Sequence, residues 1–166
     1  MTSTKMTTVL WFDNGAAREA AEFYARTFPD SHVDTILDSA ADTPSGPAGQ
    51  EMLVAFTLLG RPFAGLNGGP SFKPNESVSF MVMTDDQAET DRLWNAVVGN
   101  GGQESMCGWC KDKWGYSWQI TPRMLVDAIS SNDKAAAKRA MDAMMTMQKI
   151  DIATIETAVQ GETANA

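Results

Sequence analysis

The sequence contains one histidine, His32, and two cysteines, Cys107 and Cys110. A single imidazole cannot serve both a nucleophile–base triad and a metal shell. Two cysteines exclude a disulfide scaffold. Cys107-x-x-Cys110 has half the spacing of a zinc ribbon, and no second pair follows. A redox role requires the first thiol at a helix N-terminus, and this pair sits in a strand-and-turn context. Incidental packing is therefore expected for both, with a redox or metal role as the alternative. Basic residues are also in the minority, 13 against 21 acidic ones, for a net charge of −8. That balance repels phosphate backbones and argues against a nucleic-acid partner. No apolar run approaches the roughly 18 residues that span a bilayer. The first dozen residues lack a long apolar stretch with a cleavage site. A cytoplasmic protein with no membrane partner is expected. Also missing are a Gly-rich phosphate loop between strand and helix and a Ser nucleophile elbow.

What the chain does have is enough apolar residues, 43%, for an ordinary core within 166 residues. The most informative stretch is 106–122, MCGWCKDKWGYSWQITP. It ends in period-two alternation. Tyr116, Trp118 and Ile120 point one way, and Ser117, Gln119 and Thr121 the other. Lys111-Asp112-Lys113-Trp114-Gly115 reads as a tight connection into that strand.

The remaining sequence spells one pattern twice. Residues 7–12 form a strand and 16–28 a helix. The helix carries Ala17, Ala20, Tyr24 and Phe28 on its apolar stripe, and either Asp13 or Asn14 is a candidate cap. Strands follow at 31–38, 52–59 and 63–67, with 39–50 a mobile loop rich in Ala, Pro, Gly, Asp and Ser. The pattern restarts with a strand at 77–83, a helix at 86–98 and short strands within 103–121. Thr84 and Asp85 are the candidate caps of this second helix. Both halves read βα followed by β-strands, an internal duplication. Two modules, 6–70 and 71–122, precede C-terminal helices at 123–160, which are expected to pack on the same domain or on a partner subunit. The fold class is α+β. Met141, Met144, Met145 and Met147 are read as packing residues.

If the sheets close into a cup, Thr7, Trp11, Asn67, Ser77, Ser79, Ser117 and Gln119 are the candidate ligand-binding residues. Uncharged donors and acceptors among aromatic walls suit a small apolar or aromatic metabolite. A solvated sheet face without a ligand is the alternative. Acid–base candidates are Asp13, Glu76 and Glu104, none with an evident partner. His32 opens a strand and is read as exposed or capping.

The segments LWFDNGAAREAAEFYARTFPDS, LNGGPSFKPNESVSFMV, CGWCKDKWGYSWQITP and KAAAKRAMDAMMTMQKIDIATIE resemble PhnB-like proteins. These belong to the glyoxalase/bleomycin-resistance/dioxygenase (vicinal oxygen chelate) superfamily, in a branch often labelled 3-demethylubiquinone-9 3-methyltransferase. The resemblance runs over 6–159. It implies paired βαβββ modules with cup-shaped sheets and a homodimer, with or without exchanged elements. In metal-bearing members four inward strand positions carry His or Glu. Carried over, these fall near Thr7, Gly65, Ser77 and Gln119, and none is an imidazole or carboxylate. The resemblance therefore implies a small-molecule-binding dimer without metal or cofactor, its catalysis left open. A 3-demethylubiquinone-9 3-methyltransferase, as the label has it, a diverged lyase and a non-catalytic scaffold are the alternatives.

Overall fold

The computed structural model describes residues 5–161, which divide into two compact units between Pro74 and Asn75. In the first, strand β1 (Thr8–Phe12) leads to helix α1 (Ala17–Thr27) and strands β2 (His32–Asp38), β3 (Glu51–Leu58) and β4 (Arg61–Asn67). The sheet order is β1-β4-β3-β2, with β1 parallel to β4 and the other neighbours antiparallel. The second unit repeats this with β5 (Ser79–Thr84), α2 (Gln87–Gly99), β6 (Gln103–Glu104), β7 (Trp109–Lys111) and β8 (Ser117–Pro122), in the order β5-β8-β7-β6. Again the first strand pairs in parallel with the last. These are the paired βαβββ modules expected from the duplication.

In each unit the helix covers one face of its sheet. Ala17, Ala20, Ala21, Phe23 and Tyr24 of α1 are buried with Leu10, Phe12, Val54, Phe56 and Leu58 of the strands. Pro29 ends the helix by denying Phe28 the helical region, and Phe28 is extended at ψ 143°. Gly65 lies under the helix, where a Cβ would come within 2.9 Å of Ala17 Cβ. In α2, Leu93, Trp94 and Val97 are buried. Its cap is Asp86, one residue beyond the expected pair. The Asp86 carboxylate accepts from Glu89 N at 2.8 Å, and Glu89 reaches back to accept from Asp85 N at 2.9 Å.

Neither Asp13 nor Asn14 caps α1. Asn67, fifty residues away, accepts from Ala17 N at 3.0 Å and donates to Glu51 O at 3.0 Å. The 39–50 loop, expected to be mobile, is closed by its own hydrogen bonds. Ser39 N donates to Gln50 O (2.8 Å), Gly49 N to Ser39 O (2.8 Å) and Ser45 Oγ to Gly68 O (2.9 Å). The second-unit strand starts at Ser79, because Asn75 Oδ1 accepts from Ser77 N (2.9 Å) and holds Ser77 in a turn.

Helices α3 (Arg123–Ile129), α4 (Lys134–Met144) and α5 (Ile152–Gln160) form a small core of Leu125, Ala140, Ile150 and Ile155 within the second unit. Asp133 and Asp151 cap α4 and α5. Met144 and Met147 pack against this core, whereas Met141 and Met145 are 44% and 51% exposed. The packing expected of all four methionines therefore applies to two. Cys107 N donates to Met147 O and Gly108 N to Gln148 O, both at 2.7 Å, tying these helices to the loop before β7.

The hairpin β7–β8 is built on Asp112, 3% exposed. Its Oδ1 accepts from Trp114 N and Tyr116 N, each at 3.0 Å, and its Oδ2 from the buried Trp118 Nε1 at 2.9 Å. A buried charge is tolerated where several donors converge on it. Replacing Asp112 with Ala strands all three donors, and urea denaturation is expected to show a loss of about 3 kcal/mol. Unchanged stability would mean that water takes over the role.

Candidate functional site

The helix-free faces of the two sheets have different chemistry. Residues paired across neighbouring strands share a face. In the first unit, Trp11, Leu66, Leu53 and Leu37 form one row across all four strands, and Val9, Ala64, Ala55 and Thr35 the next. This face is apolar, with Val9 56% and Leu37 48% exposed. In the second unit one row is Ser79, Ser117 and Lys111, and the next is Met81, Gln119 and Trp109. This face is mixed. Gln119 Nε2 donates to Ser79 Oγ at 2.8 Å. Lys111 shares the face with Ser117, and its ammonium pairs with Glu76 on the segment entering β5, beyond β8. That pairing holds the Glu76 carboxyl below its usual range, chiefly through the hydrogen bond from Lys111.

Ser117 is 1% exposed, and its Oγ has no hydrogen-bond partner among the described residues. Only Asn100 Nδ2 shares that condition among their buried side-chain atoms. An orphaned buried hydroxyl costs about 1–3 kcal/mol, and such groups call for an explanation.

The seven residues singled out in the sequence do not form one cluster. Ser79, Ser117 and Gln119 adjoin on the mixed face. Trp11 lies on the apolar face, its Nε1 donating to Gly69 O at 2.7 Å and its ring edge-on to Phe72 at 4.8 Å. Gly68 is needed beneath that ring, since a Cβ would sit 2.3 Å from it. Thr7 is exposed just before β1, and Ser77 is exposed in its turn. Asn67 pairs in register with Phe12 on the helix side, where its amide serves the backbone. Sequence reasoning passed over Lys111, Trp109 and Met81. The alternation of 79–83 and 109–111 placed them, but only strand register brings Lys111 beside Ser117, and Trp109 and Met81 beside Gln119.

The acid–base candidates have structural engagements. Glu104 accepts from Trp94 Nε1 at 3.2 Å, and Asp13 accepts from Asn14 N at 2.7 Å. His32 is exposed at the start of β2 and pairs with Asp34 at 3.0 Å. Cys110 is buried on the helix side, and burial pushes its thiol up to about 12. A further cleft of about 680 Å3 opens in the first unit between the 39–50 loop and the start of α1. Arg18, paired with Glu51, lies in it, with Asn14, Ser45 and Gln50 on its walls.

The donor set does not suit the divalent metal that the resemblance implies for metal-bearing members. The positions nearest the carried-over ligand sites are Thr7, Gly65, Ser77 and Gln119, and Gly65 faces the helix. No open-face residue named above is a histidine, cysteine or carboxylate. Among the described residues no three His, Cys, Asp or Glu side chains gather at one point.

Two outcomes follow from this geometry. Ser117→Ala removes an unpaired buried hydroxyl and is expected to raise the stability of the ligand-free protein by about 1 kcal/mol in urea titration; a loss of that size would mean that Ser117 has a partner in solution. Iodoacetamide at pH 8 is expected to label the half-buried Cys107 and spare Cys110, whose thiolate is scarce well below its pKa. Mass spectrometry of peptides reads both, and equal labelling would contradict the burial of Cys110.

Comparison with known proteins places this geometry in a family. No curated protein sequence matches the chain. Among solved structures, a putative 3-demethylubiquinone-9 3-methyltransferase, PhnB protein, from Bacillus cereus is similar over 72% of this chain and 99% of its own, with 27% identity and a TM-score of 0.62. Protein PA1353 from Pseudomonas aeruginosa is similar over 72% and 98%, with 22% identity and a TM-score of 0.56. The resemblance expected over 6–159 is found for 4–121, and the C-terminal helices lie beyond that match. With residues 4–121 matched, from before β1 to Thr121 in β8, the chain belongs to the PhnB-like family described as 3-demethylubiquinone-9 3-methyltransferase.

Proposed function

We propose that the protein binds a small molecule on the mixed face of the β5-β8-β7 sheet, without a metal, as a homodimer in the cytoplasm. The observation that carries the ligand reading is the adjacency of Ser79, Ser117 and Gln119 on one face, with Met81 and Trp109 flanking Gln119. A few placed polar groups among apolar walls are what small-molecule sites consist of. Independence from metal follows from the chemistry of the open-face side chains. Thr7 and Trp11 belong to the first unit, Asn67 serves the backbone and Ser77 a turn. The dimer has support in the apolar rows of the first sheet, since contiguous exposed apolar surface marks interaction sites. The cytoplasmic placement rests on the sequence alone.

The family name and the Bacillus cereus relative point to methyl transfer. No described strand-to-helix turn has the Gly-rich form that takes a nucleotide cofactor, since Asp13-Asn14-Gly15 before α1 has a single glycine.

A thermal-shift screen of aromatic and quinone-like metabolites, with and without EDTA, tests the reading. At least one compound is expected to raise Tm equally in both conditions. A shift that EDTA abolishes and zinc or manganese restores would overturn metal independence. Transfer of a labelled methyl group from S-adenosylmethionine to a hydroxyquinone would establish the activity in the name instead. Sedimentation is expected to give a dimer that Val9→Glu with Leu37→Glu dissociates, and a monomeric wild type would remove the dimer.

A further inference from the structure

We propose that the mixed face takes an uncharged aromatic compound bearing an oxygen, a phenol or an aryl carbonyl, with Ser117 Oγ holding that oxygen. This rests on the ligand reading above and adds the chemistry of the ligand.

Ser117 is the middle member of its row, between Ser79 on β5 and Lys111 on β7. Its hydroxyl is buried with nothing to bond to. A hydroxyl both donates and accepts, so a ligand oxygen of either kind satisfies it. Beside it, the bond from Gln119 Nε2 to Ser79 Oγ at 2.8 Å fixes the amide plane. The amide carbonyl and its second N–H are then directed by the same bond.

Charge decides which oxygen fits. The one cation of the row, Lys111, is already neutralised by Glu76. A carboxylate would have to displace Glu76 or enter without a counter-ion, and an uncompensated charge beside a buried hydroxyl is strongly disfavoured. A neutral hydroxyl or carbonyl requires only the hydrogen bond. The Lys111–Glu76 pair links β7 to the segment entering β5, with β8 and Ser117 between them. Its side chains are 32% and 64% exposed, so it holds little energy. It can shift as a ligand settles on Ser117.

The apolar part of the ligand has its place in the next row. Met81, 54% exposed, and the half-buried Trp109 flank Gln119. A thioether and an indole make a polarisable surface for a flat ring. One row with the Ser117 hydroxyl and a next row with Met81 and Trp109 on either side of Gln119 match a ring with its oxygen at one edge.

Three probes of one shape separate the possibilities: p-cresol, toluene and 4-methylbenzoate, titrated at pH 7 into the full 15N-labelled chain and followed by NMR. The cresol is expected to bind about 10-fold more tightly than either of the others, the worth of one neutral hydrogen bond. Shifts should centre on residues 81, 109, 117 and 119. Ser117→Ala is expected to remove the preference of cresol over toluene and to leave toluene unchanged. Ser79→Ala, which frees the Gln119 amide, is a second handle and should reduce the same preference. Equal affinities with shifts on this face would leave the ligand site standing and overturn the oxygen-holding role of Ser117. So would tighter binding of 4-methylbenzoate, or an unchanged preference in both variants. If none of the three perturbs these resonances, the ligand reading of the face falls together with this proposal.

Discussion

The second unit depends on one carboxylate. Asp112 gathers two backbone N–H groups and the Trp118 indole onto its two oxygens. It closes the turn between β7 and β8 and anchors the largest side chain of the β8 core face. The turn also fixes the register in which Lys111 faces Ser117 and Trp109 faces Gln119. A one-residue slip would send every side chain of β8 to the opposite face. The polar ladder is thus a consequence of a hydrogen-bonded turn several residues away.

The duplicated topology has been put to different uses. Both sheets have the same strand order and the same parallel closing pair. In the first, leucines and a tryptophan cross the open face, and the polar groups at the strand ends are spent on structure. Asn67 caps a helix, and Gly68 and Gly69 accommodate Trp11. In the second, serines and a glutamine replace the leucines in the middle of the sheet. Fold alone does not assign an activity. The difference between the two faces lies in individual side chains, and it is there that the family resemblance stops being informative about this chain.

The architecture was legible in the sequence because it is written in local periodicity. The Ala17–Phe28 stripe and the alternation of Tyr116 to Thr121 each declare an element and its buried side. The caps of α4 and α5 are local in the same way, since Asp133 and Asp151 act on their own neighbours. The failures are non-local. Asn67 looked like a free amide on a strand, yet it caps a helix fifty positions earlier. The 39–50 segment has the composition of a mobile loop, and composition does not show the bonds that join its two ends and tie Ser45 to Gly68. The candidate site was half legible. Ser79, Ser117 and Gln119 stand out by alternation, whereas Lys111 and Trp109 join them only through cross-strand pairing.

The three C-terminal helices are more than an addition to a finished domain. Gln87, at the start of α2, donates to Ile150 O at 3.1 Å and accepts from Ile152 N at 2.8 Å. Cys107 and Gly108, both at positive φ, donate to Met147 and Gln148. Gly108 O in turn accepts from Ile120 N at 2.9 Å. A chain shortened to the residues its family shares, 4–121, would lose the carbonyls of Met147, Gln148 and Ile150 that accept from Cys107, Gly108 and Gln87. Through Gly108, which bonds both Gln148 and Ile120, the appended helices thus act as a splint on the strand that bears Ser117 and Gln119.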